Sequence, residues 1–590
     1  MTNEPGESGA QEGEGAGPGG AAEVAATRRD FLKLGGAAAA GAVVGGAAGA
    51  AITSAVAGAG SPPPSASPGA SGGPIAHWVV LMGENRSFDN LLGRLYTPDA
   101  PPDGADFAGL AFGDFANDDR DGTRVAAHVY DGPTDAIMGR PDPDPGEEYP
   151  HVNTQLFDVI DPASNEGRGV GRMTAPFNAP DDPSAPAMSG FVRDYRSHLT
   201  ALRRGAEPSD HEVRQIMGGF APEMLPVLST LAREFAVFDH WHCAVPSQTF
   251  CNRSFFHAST SHGFVTNVES GGYRKWLDAP AAPTIFNRLE EAGLSWRVYF
   301  DELQLISFTG FLHAPVLEKY WRTEHFATMA DFERDAADGT LPVYAFIEPR
   351  MVYDHNDFHP PVGRLREGEA DGELIVDSAV SDVRAGDALV HRVYEAVKNG
   401  ASPTGSNALN TLLLITFDEH GGTYDHVPPP GATPPGANGD DEQGEMGFAF
   451  DRLGVRVPAI AVSAHTRAGT VVNDEYHHAA LIATLAHEHG LRELTDRDHG
   501  ARRLDAVLNA DAPRHPSTWP SPTPQYVPPN PEAADHPGKQ HPDRPLSPPA
   551  RGLLGLLMAK FAPDEPVPET YAGALDALER HGHGLFGAPR

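Results

Sequence analysis

The sequence predicts an α/β protein: a largely parallel sheet with helices on both faces and irregular insertions. Three observations support this. An apolar run of strand length, residues 75–82, breaks at Glu84 and Asn85 and passes straight into Ser87, Phe88, Asp89 and Asn90, a helix start. A second run, residues 412–417, ends in Asp418, Glu419, His420, Gly421 and Gly422. Further short strand candidates (296–300, 343–347 and 455–462) alternate with segments of helical period (224–235, 285–292, 387–397 and 478–489). Such alternation buries a parallel sheet between helical layers.

Taken in order, residues 1–26 are Gly, Ala and Glu with little apolar bulk, a composition that predicts disorder. Arg28 and Arg29 follow, then Phe31, Leu32 and Lys33, and an uncharged Ala/Gly/Val stretch over 34–59. This order is that of a twin-arginine export signal, which predicts engagement of the twin-arginine machinery. The destination is then periplasmic, cell-wall-associated or extracellular. A membrane anchor is the rival reading, but the stretch is mostly Ala and Gly, and Ala55, Val56 and Ala57 offer a cleavage site. Residues 60–73 are a Pro/Ser/Gly linker, and 74–510 carry the strand and helix patterns. Residues 100–220, rich in Asp, Pro and Gly, read as an irregular insertion over one sheet edge. Residues 511–590 form a Pro-rich extension with helical segments at 553–561 and 571–585.

Acidic side chains outnumber basic ones 80 to 44, a formal charge of −36, which argues against nucleic acid or an anionic membrane as a standing partner. Cys243 and Cys251 are the only cysteines. They either bridge a short loop or stay as two buried thiols.

In open α/β sheets, ligands sit beyond the carboxyl ends of strands, and here two strands end in acids. Adjacent buried carboxylates cannot both stay ionised without a cation. Glu84, Asn85, Asp418 and Glu419 therefore predict a site for one divalent ion, with oxygen donors suited to Mg, Mn, Ca or Fe at least as well as Zn. A third stretch runs from His240 to His257; Pro246 and Ser247 break the preceding element, and Thr249 opens a helical run. A hydroxyl there is either a helix cap or, lowered in pKa by the metal, a nucleophile beside a phosphate-binding helix end.

Together these stretches resemble one family, the bacterial phosphoesterases that include phospholipases C and a related acid phosphatase, within the alkaline phosphatase superfamily. The resemblance rests on Glu84-Asn85-Arg86-Ser87-Phe88-Asp89, on Thr249 before Asn252-Arg253, on Asp357-Phe358-His359-Pro360, and on Phe417-Asp418-Glu419-His420-Gly421-Gly422. It implies an alkaline phosphatase-like fold, a phosphate ester substrate that includes phospholipids, and a phosphothreonine intermediate. By the same resemblance Glu84, Asn85, Thr249, Asp418 and Glu419 hold the metal, Thr249 is the nucleophile, and Asn85 also touches a phosphoryl oxygen. His359 then stabilises the phosphoryl group or protonates the leaving oxygen. His151 resembles a phosphate-side histidine, although the family often has its histidine where this chain has Glu147 or Glu148. His355, His420, His426 and His478 lie near the motifs and are candidates to line the site.

Neither cysteine begins the Cys-x-Pro-x-Arg pattern of a sulfatase, and no Gly-x-Ser-x-Gly elbow is present. The alternative is a non-catalytic exported binding protein on the same scaffold. The tail after residue 510 lacks the alternating strands of the β-rich domains that many family phospholipases carry, which favours a minimal phosphoesterase without excluding diester substrates.

Overall fold

The computed structural model describes residues 73–132, 137–302, 304–352, 355–361, 369–370, 373–374, 382–436, 444–525 and 545–588. The predicted signal and all but the last residue of the predicted linker lie outside them.

Eight strands form the central sheet: β1 (His77–Gly83), β2 (Ala236–Phe238), β3 (Trp296–Phe300), β4 (Phe326–Thr328), β5 (Tyr344–Ile347), β6 (Thr411–Phe417), β7 (Ala459–Ser463) and β8 (Thr470–Val472), in the order β8-β2-β7-β6-β1-β5-β3-β4. β1 lies parallel to both of its neighbours, β5 and β6. β3 is parallel to β5 and β4, and β2 to β8. Only β7 runs antiparallel to its neighbours in this sheet, β6 and β2. The sheet is thus largely parallel, as its unbroken apolar strands require. Every residue of β1 and β6 is buried, so both faces are covered. The strand expected over 455–462 begins only at Ala459, because Pro458 has no amide to donate to a ladder.

Helices α1 (Phe88–Leu91), α2 (Tyr149–Phe157), α3 (Phe191–Leu202), α4 (Pro226–Glu234), α5 (Thr249–Ala258), α6 (Ile285–Glu291), α7 (Val383–Lys398) and α8 (Ala479–His489) surround it. α4 and α7 pack together and onto the sheet, while α5 packs with α6 and α8. The segment over 100–220, expected to be an irregular insertion, carries two regular helices, α2 and α3. α2 and α3 close a small apolar core of their own, with Val152, Leu156, Phe191 and Leu199, and Tyr424 from the loop after β6 joins it. That attachment carries residues 144–155 to the carboxyl ends of the central strands.

The C-terminal helix α9 (Pro548–Phe561) starts earlier than its apolar run suggested, since Ser547 caps it and Pro548 suits the first turn. Leu553, Leu554, Leu556 and Leu557 are fully buried in the main core, so this helix belongs to the same body. The helix expected over 571–585 is α-helical only over Tyr571–Ala577. Cys243 and Cys251 are both free and buried. Among the described residues no helix is long and apolar enough to cross a membrane.

Candidate active site

Strand register builds the centre of the site. Gly83 pairs with Phe417, so the acids that follow each strand emerge side by side. The Asp418 carboxylate accepts the backbone amides of Asn85 (3.1 Å) and Glu419 (2.8 Å) through Oδ1. Asn85 itself sits at φ 56°, a left-handed conformation that asparagine tolerates better than most residues. Gly421 and Gly422 also have positive φ, 59° and 66°, and a Cβ on Gly421 would lie 2.3 Å from the Asn85 carbonyl oxygen. Only glycine lets the loop after β6 lie against the loop after β1.

α5 supplies the next layer. Arg253 places Nη2 3.0 Å from Glu84 Oε1 and Nε 3.1 Å from Asp418 Oδ2, all three side chains buried. Thr249 is four residues earlier, on the same helix face, and is buried. The capping position is held by Gln248, not Thr249, so the structure does not use the threonine as the helix cap. Burial pulls the Arg253 guanidinium down, but Asp418 and Glu84 more than restore it.

Two carboxylates that the motifs did not name complete the pocket. Glu147, just before α2, accepts a hydrogen bond from Asn85 Nδ2 and another from Gln248 Nε2 at 3.3 Å. Asp144 is tied to the loop after β5 through its amide, which donates to the Pro361 carbonyl at 2.6 Å. In that loop His359 Nδ1 lies 2.6 Å from the Pro360 carbonyl, so Nδ1 carries the proton and Nε2 presents a lone pair. Burial lowers its pKa to about 4. Burial, then neighbouring carboxylates, raises Glu84, Asp144, Glu147 and Glu419 well above the ordinary carboxylate range. The sequence held one sign of Glu147, the absence of the family's histidine there; nothing in it marked Asp144.

The residues fit a bound cation. Both carboxylate oxygens of Glu84, Asn85 Oδ1 and Glu419 Oε1 are buried without a hydrogen-bond partner, an arrangement that costs free energy unless a cation faces them. Glu84 Oε1 nevertheless has the Arg253 ion pair, and Asp418 is engaged at both oxygens, so Arg253 neutralises one side of the cluster.

The remaining predicted histidines lie in supporting networks. His151 Nδ1 pairs with Asp194 Oδ1 at 2.8 Å, and Gln155 links that carboxylate to His420. His478 accepts from the Trp241 indole and donates to the Asp418 carbonyl at 2.6 Å, steadying a predicted ligand from behind. His426 pairs with Asp89 in an ion cluster closed by Arg456. His355 joins Asp357 to Ser547 at the start of α9.

Comparison with known proteins agrees with the motifs. The family described as Phosphoesterase family matches residues 75–492. Non-specific phospholipase C3 of Arabidopsis thaliana is 32% identical over 464 residues, covering 76% of this chain and 76% of its own. Phospholipase C A of Mycobacterium tuberculosis (strain CDC 1551 / Oshkosh) is 26% identical over 455 residues, 71% of this chain and 73% of its own. Among solved structures, a protein in the alkaline phosphatase superfamily from Vibrio parahaemolyticus aligns at 14% identity and a TM-score of 0.25, over 48% of this chain and 63% of that one. A likeness that small carries no argument.

Proposed function

The chain belongs to the Phosphoesterase family and is a hydrolase of phosphoric ester bonds, and from that premise we propose that it is an exported, metal-dependent enzyme of phospholipase C type working through Thr249. The observation that carries the proposal is the placement of Thr249 on α5. It stands at a helix N-terminus and shares a face with Arg253, which holds Glu84 and Asp418. A divalent cation held by Glu84, Asn85, Asp418, Glu419 and the Thr249 hydroxyl would lower the pKa of that hydroxyl and balance charge on the phosphoryl oxygens.

Thr249 Oγ gives up its proton to water and attacks phosphorus, the bond to the leaving oxygen breaks and that oxygen takes a proton from water, and the positive end of the α5 dipole favours the anionic group as it transfers. The product is a phosphothreonine. Water then adds to the same phosphorus, releasing phosphate or a phosphomonoester and returning the hydroxyl. The relatives are phospholipases C by name, which supports a phospholipid diester as substrate; the compact C-terminal helices do not oppose it. Export rests on the Arg28-Arg29 signal. Against a non-catalytic binding protein stands the presence of Glu84, Asn85, Thr249, Asp418 and Glu419 together.

The test is Thr249→Ala beside Thr249→Ser, each purified and shown to be folded, with phosphatidylcholine, bis-nitrophenyl phosphate and nitrophenyl phosphate as substrates. Thr249→Ala should lose turnover of all three, whereas Thr249→Ser keeps measurable activity and a trappable phosphoenzyme. A folded, metal-loaded Thr249→Ala enzyme with near-normal turnover would overturn the proposal.

A further inference from the structure

Beside the predicted metal quartet lies a second group of donors from different parts of the chain. One carboxylate oxygen each of Asp144 and Glu147 and one His359 ring nitrogen lie within 4.8 Å of one another. His359 Nε2 is 3.8 Å from Asp144 Oδ2. That separation exceeds a hydrogen bond, yet it suits two ligands on one ion with bonds of about 2.0–2.2 Å. The histidine is fully buried and its Nε2 has no hydrogen-bond partner. Its tautomer is held by the Pro360 carbonyl, the usual way a protein aims an imidazole lone pair at a metal. Asp144 Oδ1 is likewise buried and unpartnered.

Charge leads to the same place. Glu84, Asp144, Glu147, Asp418 and Glu419 are all buried, and among the described residues Arg253 is the only arginine or lysine paired to any of them; His420 Nδ1 lies 3.4 Å from Glu419 Oε2, but burial lowers that imidazole's pKa to about 3. Arg86 lies nearby, but it donates to the carbonyls of Phe358 and Arg140 and to Asn90, not to a carboxylate. Counted as ionised, the five carboxylates against both arginines and one divalent ion leave one negative charge among buried groups, where an uncompensated carboxylate is costly.

We propose that Asp144, Glu147 and His359 form a second divalent-cation position, so that the chain binds two cations rather than the one its motifs indicate. Two carboxylates and an imidazole suit Mn, Fe or Zn better than Ca or Mg. The inference rests on the donor geometry, and the nucleophilic role of Thr249 could fail without touching it.

The experiment is metal stoichiometry on the purified full-length chain, stripped with chelator, reloaded with excess Mn²⁺, freed of unbound ion and analysed for bound Mn. Wild type should hold two equivalents, and electron paramagnetic resonance should show a spin-coupled pair. Asp144→Asn and His359→Gln should each hold one equivalent and lose the coupled signal. Thermal unfolding of each stripped variant checks that it is folded, and Asp144→Asn removes buried negative charge, so it should not destabilise the stripped protein. Wild type saturating at one equivalent overturns the proposal whatever the activity data show; so does retention of two equivalents in a folded Asp144→Asn protein. An inactive Thr249→Ala enzyme beside a one-equivalent wild type would leave the proposed function standing and remove only the second position.

Discussion

Arg253 shows how much one buried side chain can decide. It pairs with both Glu84 and Asp418, and its guanidinium also lies 5.5 Å from the Phe308 ring centre. Arg253→Met keeps the volume and deletes the charge, leaving two buried carboxylates facing each other. The expected cost is about 3–5 kcal/mol in the metal-free protein, read by denaturant unfolding; a loss below about 1 kcal/mol would mean that the pair contributes little. His151 gives a pH-dependent counterpart. Burial lowers its pKa, but the Asp194 charge and hydrogen bond outweigh that and lift it to about 9. Burial also raises Asp194, which opposes an ion pair. The pair prevails, because the Asp194 carboxylate accepts from both His151 and Gln155. A histidine held above its unfolded value of about 6.5 contributes stability that is complete below that pH and lost as pH rises through about 9. Unfolding measured at pH 6 and pH 9.5 should therefore show wild type losing more stability than His151→Gln, and equal losses would refute the pairing.

At the scale of elements, the site depends on two strand-to-helix turns that touch. The loop after β6 fits only because Gly421 and Gly422 turn with positive φ beneath Asn85 and the Gly146 carbonyl. Gly421→Ala combines a left-handed alanine, costing about 1–2 kcal/mol, with a Cβ driven into the Asn85 backbone. The variant should lose more than about 2 kcal/mol of stability. It should also lose turnover beyond what Asn85→Ser loses, since the whole turn moves and not one amide. Normal kinetics in Gly421→Ala would show that the turn has room that the structure denies it. α9 makes a quieter connection: Ser547 caps the helix and meets His355 at 3.0 Å, and His355 holds Asp357, whose backbone carbonyl accepts the Glu84 amide.

For the whole molecule, the sheet, the inserted α2–α3 unit and the C-terminal helices each send residues toward one end of the central strands. The proposed metal site exists only in the folded chain, which is compatible with the proposed twin-arginine route. Changing Arg28 and Arg29 together to Lys should keep the protein in the cytoplasm, active and metal-loaded, as shown by fractionation and assay. Undiminished export of that variant would discard the export reading.

Local sequence was enough for the features that depend on local chemistry. The strands at 77–83 and 411–417 were visible because a buried parallel strand is uniformly apolar, and the acids ending them stood out because carboxylates after such runs need a reason to be there. The Thr249 helix start was legible from Pro246 and Ser247, though the sequence could not say that Gln248 takes the capping position. What no local pattern carried was proximity between distant segments. Asp144 and Glu147 sit in a stretch with no period to read, and the Asn252-Arg253 motif gave no sign that Arg253 would pair with Glu84 and Asp418. The register pairing Gly83 with Phe417, the Tyr424 anchor of the inserted helices and the turn at Gly421 bring these residues together. The charge balance of the pocket is a sum over segments hundreds of residues apart, so the tertiary structure alone decides it.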